Sequence, residues 1–180
     1  MSGFLMFEVL SQPIVPGIPN VPYVQQGTFV QIANTTNSAA VVSLIYYAGP
    51  NFVASSGAVT LFANYIDNNG QVTQVPAQTF IAQRGFVNVS IPSLATYIFG
   101  VQYVIVPGQS NNLLGATPQD GLATRGFIFL QSAANALVPP LGTIRQVFTN
   151  FNTGGGVQDV SEAAYPVPFT PYPAAQLFEG

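Results

Sequence analysis

The side chains able to move protons, attack carbonyls or bind metals are few in this chain, and naming them comes close to defining what chemistry it can do. The acids are Glu8, Asp67, Asp120, Asp159, Glu162 and Glu179, the cations are Arg84, Arg125 and Arg145, and there is no His, Lys or Cys. General acid-base and nucleophilic catalysis draw mostly on His, Cys, Lys and paired carboxylates, so three of four sources are missing. A serine would have neither His nor Lys to activate it, which excludes the usual hydrolase triads. A glycosidase-like carboxylate pair is the one remaining option, with Asp120, Asp159 and Glu162 as loop candidates. Their neighbours Gly121, Gly154 to Gly156 and Ser161 read as turns rather than as a catalytic cleft. The expectation is a protein that is not an enzyme and uses no cofactor.

Metal and nucleotide chemistry is equally restricted. Zinc, iron and copper sites need imidazole or thiolate ligands that the chain lacks. An oxygen-rich calcium site at Asp67, or at Asp159 with Glu162, is the only metal reading, and Asp67-Asn68-Asn69-Gly70 reads more simply as the turn of a hairpin. No phosphate loop or dinucleotide fingerprint occurs. Three arginines in a net charge of −3 do not make a nucleic-acid patch.

What remains is neutral hydrogen bonding, aromatic stacking and apolar burial. Charged residues are 5% of the 180, against about 25% in ordinary soluble proteins. The surface must therefore be covered by Asn, Gln, Ser, Thr, Gly and Tyr, which enter an interface without the desolvation cost of an ion. Such a skin is suited to being covered by neighbours. With no His, the net charge should hardly change between about pH 5.5 and 9.

The elements that carry these residues read as strands. Gly and Pro, 17 and 15 in number, interrupt any helical period. Runs rich in Val, Ile, Phe, Tyr and Thr cover Thr28 to Ala33, Ala39 to Tyr47, Ala58 to Ile66, Gln78 to Ala82, Phe86 to Ile91, Thr96 to Val106, Gly126 to Gln131 and Thr143 to Phe151. They predict an all-β fold, a β-sandwich or jelly roll of about eight strands. In Phe86 to Ile91, Val87, Val89 and Ile91 share one face and Asn88 and Ser90 the other. Val41 to Tyr47 and Tyr97 to Val106 are apolar on both faces, which asks for a second cover.

Residues 81–87 resemble residues 122–128, with Arg84 and Arg125 at matched positions. Read as a duplication, each arginine becomes a clamp on carboxylate or carbonyl groups at a sheet end or subunit contact; read as composition, the likeness is chance. Two sequons, at Asn34 and Asn88, carry meaning only in a eukaryotic secretory setting.

The ends differ from the middle. Ser11 to Tyr23 and Tyr165 to Pro173 are proline-rich and predicted to be extended. This divides the chain into an N-terminal arm and connector over 1–23, a sandwich over 24–160 and a C-terminal tail over 161–180. The arm places Phe4, Leu5, Phe7, Val9, Leu10, Ile14, Val15 and Ile18, and the tail Val167, Phe169 and Tyr172, as contacts to a neighbouring subunit, with Phe4 to Leu10 added as an exchanged strand. The start of the chain lacks the basic flank of a standard signal peptide, and no stretch reaches the ~18 apolar residues of a membrane helix.

The expected role is a structural subunit that assembles with copies of itself into an extracellular filament, sheath or surface layer. It would act outside the cell or at its surface, without nucleic acid and without membrane insertion. Two alternatives stand beside it. One is a viral capsid or coat protein, which would place it in a virion. The other is a secreted carbohydrate-binding or adhesive sandwich, with Tyr46, Tyr47, Tyr97 or Tyr103 as the sugar platform.

Overall fold

The computed structural model describes residues 2–13, 23–48, 55–56, 59–75, 84–105, 122–132, 140–151 and 157–171. Every element among them is a strand: β1 Ser2–Pro13, β2 Tyr23–Ala33, β3 Ala40–Ala48, β4 Ser55–Ser56, β5 Val59–Ile66, β6 Val72–Val75, β7 Arg84–Ile91, β8 Thr96–Ile105, β9 Leu122–Ser132, β10 Leu141–Phe151, β11 Val157–Val167 and β12 Thr170–Pro171. The all-β expectation holds, and seven of the eight predicted runs coincide with β2, β3, β5, β7, β8, β9 and β10. The eighth, Gln78 to Ala82, lies outside the described residues.

All pairings are antiparallel, and the sheet has two wings. The first runs β7-β3-β9-β1, with β12 on the start of β1; the second runs β5-β8-β2-β10-β11, with β4 and β6 on β5. They join at β2. One edge of β2 pairs with β10 from Tyr23 to Gln31, while the other pairs first with β1 (Gln26↔Leu10) and then with β8 (Gly27↔Gln102). Where β1 leaves β2, its carbonyl at Glu8 accepts from Gln26 Nε2 at 3.2 Å and Thr28 Oγ1 at 3.1 Å. Side chains thus replace the ladder bonds that the split removes, as buried backbone groups require.

The inner faces of both wings share one core. Leu5, Phe7 and Val9 of β1 meet Val30 and Ile32 of β2, Leu44 and Tyr46 of β3, Phe99 and Tyr103 of β8, and Ile128 and Leu130 of β9. The β7 alternation is as predicted: Val87 and Ile91 are buried and Asn88 and Ser90 exposed. In β3 the alternation gives way to a buried run at Leu44, Ile45 and Tyr46.

Both ends depart from the expected arms. Phe4 to Leu10 is not set apart from the domain but lies inside the sheet, paired with β9 from Ser2↔Gln131 to Ser11↔Leu122. The reason is its period of two, which turns Leu5, Phe7 and Val9 into the core while Met6 faces out. The tail joins the same sheet. Pro166 is accommodated in β11, which pairs only with β10 among the described residues, so no second ladder asks for its missing N–H. Val167 then enters the core, Phe169 lies across Gly3, and Thr170–Pro171 pairs with Gly3 and Phe4. Ile14, Val15, Ile18 and Tyr172 are outside the described residues.

Two turns are built from side chains the sequence pointed to. Asp67 Oδ1 accepts from the amides of Asn69 and Gln71, both at 2.8 Å, and Gly70 takes φ +78° to close the β5–β6 hairpin. Asn34, of the first sequon, is buried: its Nδ2 donates to the carbonyls of Ser38, Ile91 and Pro92, each at 2.9 Å. That nitrogen ties residues 34–38 to residues 91–92 and does not face solvent.

Candidate binding faces

With the inner faces consumed by the core, the outer faces of the two wings are where a partner can be met. On the first wing the register sets outward side chains in rows across three strands. Phe4, Phe129 and Ile45 form one row and Met6, Phe127 and Tyr47 the next. Phe129 and Ile45 are each 7% exposed, whereas Met6 is 62% and Phe127 41% exposed. Tyr47 stacks on Phe127 with ring centroids 4.7 Å apart and planes 20° from parallel. The following pair on this face is Glu8 and Arg125, joined by a salt bridge.

On the second wing each outward row mixes polar and apolar residues, Gln102 with Phe62, Asn64 with Phe29, and Gln31 with Ile98 and Ile66. Phe29 lies flat against β8, because a Cβ at Gly100 would come within 2.8 Å of its ring. The Arg145 guanidinium sits over that ring, 5.0 Å from its centroid. Gln25, Gly27 and Gln102 complete a cleft of about 200 Å³ around them, floored by buried Gln26 and Tyr103. Gln26 is held by its own network: Nε2 donates to Glu8 Oε2 at 3.1 Å, and Oε1 accepts from Gln146 at 2.6 Å and Tyr165 at 3.2 Å.

The residues named from sequence fall in several places. Leu5, Phe7 and Val9 are core, Val167 is core, Phe169 packs against it, and Phe4 and Leu10 are half-buried on the outward phase. Arg125 holds Glu8 in the middle of the β1–β9 ladder; Arg84 stands opposite Tyr47 at the start of β7. Their two segments flank β3 on opposite edges, but out of step: Phe86 faces Ile45 while its sequence counterpart Phe127 faces Tyr47.

The tyrosine platform needs correcting. Tyr46 and Tyr103 are 2% and 1% exposed, so neither can stack on a sugar. Burial pushes the Tyr46 phenol far above its ordinary range; it also raises Tyr103, against the lowering effect of a 2.7 Å bond with Thr124. Tyr97 packs against the core and stacks on Tyr65 at 5.8 Å, which leaves Tyr47 as the outward tyrosine of the four. The acids are corrected too, since Asp159 and Glu162 lie on β11 opposite Thr149 and Val147 and not in loops. Asp120 is outside the described residues, which contain no group of three or more potential metal ligands.

Met6, Phe29, Phe127 and Arg145 were not singled out by sequence. Met6 carried a readable signal, being in phase with Glu8 in a strand whose other phase holds Leu5, Phe7 and Val9. Phe29 and Arg145 carried none, because their proximity depends on the β2–β10 register (Gly27↔Arg145).

No protein-family model matches the chain, and no curated protein matches it. Among solved structures it is similar to a family 35 carbohydrate binding module from an environmental isolate, at 14% identity over 69% of this chain and 74% of that one, with a TM-score of 0.31. It is also similar to Thermotoga maritima 1070, at 10% identity over 93% of this chain and 96% of that one, with a TM-score of 0.26. Likeness at this depth identifies neither a family nor a ligand.

Proposed function

We propose that this chain is a non-catalytic β-sandwich subunit that works by associating with copies of itself outside the cell or at its surface, the outer face of the first wing being the contact. The observation that carries the reading is the row Met6, Phe127 and Tyr47, in which two large apolar side chains stand well exposed on a rigid sheet. Burying a side chain of this size contributes about 1.5–3 kcal/mol, and clustered exposed apolar groups mark interaction surfaces. The chain offers few ions to oppose such contact, and the pair beside the row, Glu8 with Arg125, is neutral as a unit. A flat, low-charge face can meet its own copy without leaving charges buried and unpaired. Filament, sheath or layer is then a matter of how the contact repeats.

Sedimentation velocity and negative-stain imaging of the wild type beside Met6→Lys and Phe127→Lys, each checked for folding by thermal melting, test this. The wild type should form oligomers or polymers and both variants folded monomers. A wild type that stays monomeric up to about 1 mM, where a contact of only about −4 kcal/mol would already populate dimers, overturns the reading.

A further inference from the structure

We propose that the cleft on the outer face of the second wing is a binding site for a small carboxylate bearing neighbouring hydroxyl groups, a single sugar acid being its simplest representative. The argument begins with Arg145. Its ladder neighbours are Gly27 on β2 and Ala164 on β11, neither of which brings a charge, and its side chain is exposed. Arg125, by contrast, has Glu8 directly across its ladder and is paired with it. Standing over the Phe29 ring, the Arg145 guanidinium is positioned by a cation–π contact. A planar fork of this kind matches a carboxylate in two parallel hydrogen bonds.

The rest of the cleft defines the ligand around that carboxylate. Gln25 and Gln102 are half-buried amides lining the same space, each able to donate to and accept from hydroxyl groups. The Phe29 ring, packed over Gly100 and under Arg145, offers its edge to C–H groups. Gly27 keeps the middle open, since a Cβ there would come within 2.9 Å of Gln102 Cβ. A volume of about 200 Å³ is below the roughly 300–1,000 Å³ of drug-sized sites, so the ligand is one ring and not a chain. One guanidinium in a chain of net charge −3 suits a single carboxylate better than a phosphate, which gathers several cations. This site is on the opposite wing from the self-association face and does not depend on it.

Titration of the Met6→Lys chain with glucuronate, glucose and acetate, followed by NMR of the glutamine side-chain amides, tests the site apart from any oligomerisation. Glucuronate should shift the Gln25 and Gln102 signals, with glucose and acetate each binding at least roughly tenfold more weakly; Arg145→Gln should cost glucuronate a similar factor. Gln102→Ala should weaken glucuronate and glucose alike. Glu162 stands two register steps away opposite Val147, so Glu162→Gln is the control and should leave affinity unchanged. Equal binding of glucuronate and glucose, indifference to Arg145→Gln, a tenfold gain from Glu162→Gln, or no shift at all at tens of millimolar glucuronate would each overturn the proposal.

Discussion

The two outer faces of this sandwich are made from the same narrow alphabet and yet offer different things. On the first wing the register lines up Met6, Phe127 and Tyr47, and the adjacent ions neutralise each other as Glu8 and Arg125. On the second wing it sets Arg145 between Gly27 and Ala164, over Phe29 and beside Gln25 and Gln102. In a chain with so few charges the faces are distinguished by which side chains become cross-strand neighbours, more than by how many polar residues each strand carries. The same arginine side chain is consumed at one position and presented at the other.

The sharpest way to test the division between faces is along β1, where consecutive residues point to opposite sides. Leu5→Ala empties a fully buried position and should lower unfolding free energy by about 3 kcal/mol. Met6→Ala, one residue on, should leave the monomer within about 0.5 kcal/mol of wild type while weakening self-association. Urea unfolding at low protein concentration gives the first quantity and sedimentation the second. Equal destabilisation by the two variants would mean that the outward phase of β1 is not a free face.

That strand also shows what sequence could reveal. The dense Val, Ile, Phe and Tyr runs were enough for the all-β class and for seven strands, because β-propensity and turn punctuation are local properties. Asp67 to Gly70 was legible as a turn for the same reason. The ends were not, since Pro13 and Pro16 suggested a boundary and drew attention away from the alternation of Leu5, Phe7 and Val9 against Met6 and Glu8. Pro166 misled similarly; its tolerance depends on β11 having one partner strand, which is a tertiary fact. The four candidate tyrosines divided by phase and depth, and the Arg145 cleft depends on the pairing of β2 with the sequence-distant strands β8 and β10.

Alkaline pH separates the inner phase from the outer one. The phenols of Tyr46 and Tyr103 are raised by burial, so the folded state holds their protons more tightly than the unfolded chain, whose tyrosines titrate near 10. The stability they contribute is fully present below about pH 10 and falls as pH rises beyond it towards the folded values, by up to about 1.4 kcal/mol per pH unit for Tyr46, with Tyr103 acting in the same direction. Stability measured from pH 9 to 11.5 should therefore bend downward above 10, and Tyr46→Phe should reduce the slope. An unchanged slope in that variant would show that Tyr46 opens to solvent before the molecule unfolds.

Two cross-strand pairs on the first wing give the smallest effects and the closest look at that face. The Tyr47–Phe127 stack should show a coupling of about 0.5–1.5 kcal/mol in a double-mutant cycle to alanine, read from unfolding of a monomeric background. Glu8 and Arg125 should couple more weakly, below about 1 kcal/mol and fading with salt, because the Arg125 side chain is 81% exposed and its pair is screened. Glu8 also accepts from Gln26, so Glu8→Gln alone measures more than the pair, and the cycle with Arg125→Gln is needed to isolate it. A coupling above about 2 kcal/mol would place the pair in a drier setting than an open sheet face, as when a neighbouring copy covers it. Repeating the cycle at concentrations where the protein assembles converts that outcome into a direct reading of whether the contact reaches Glu8.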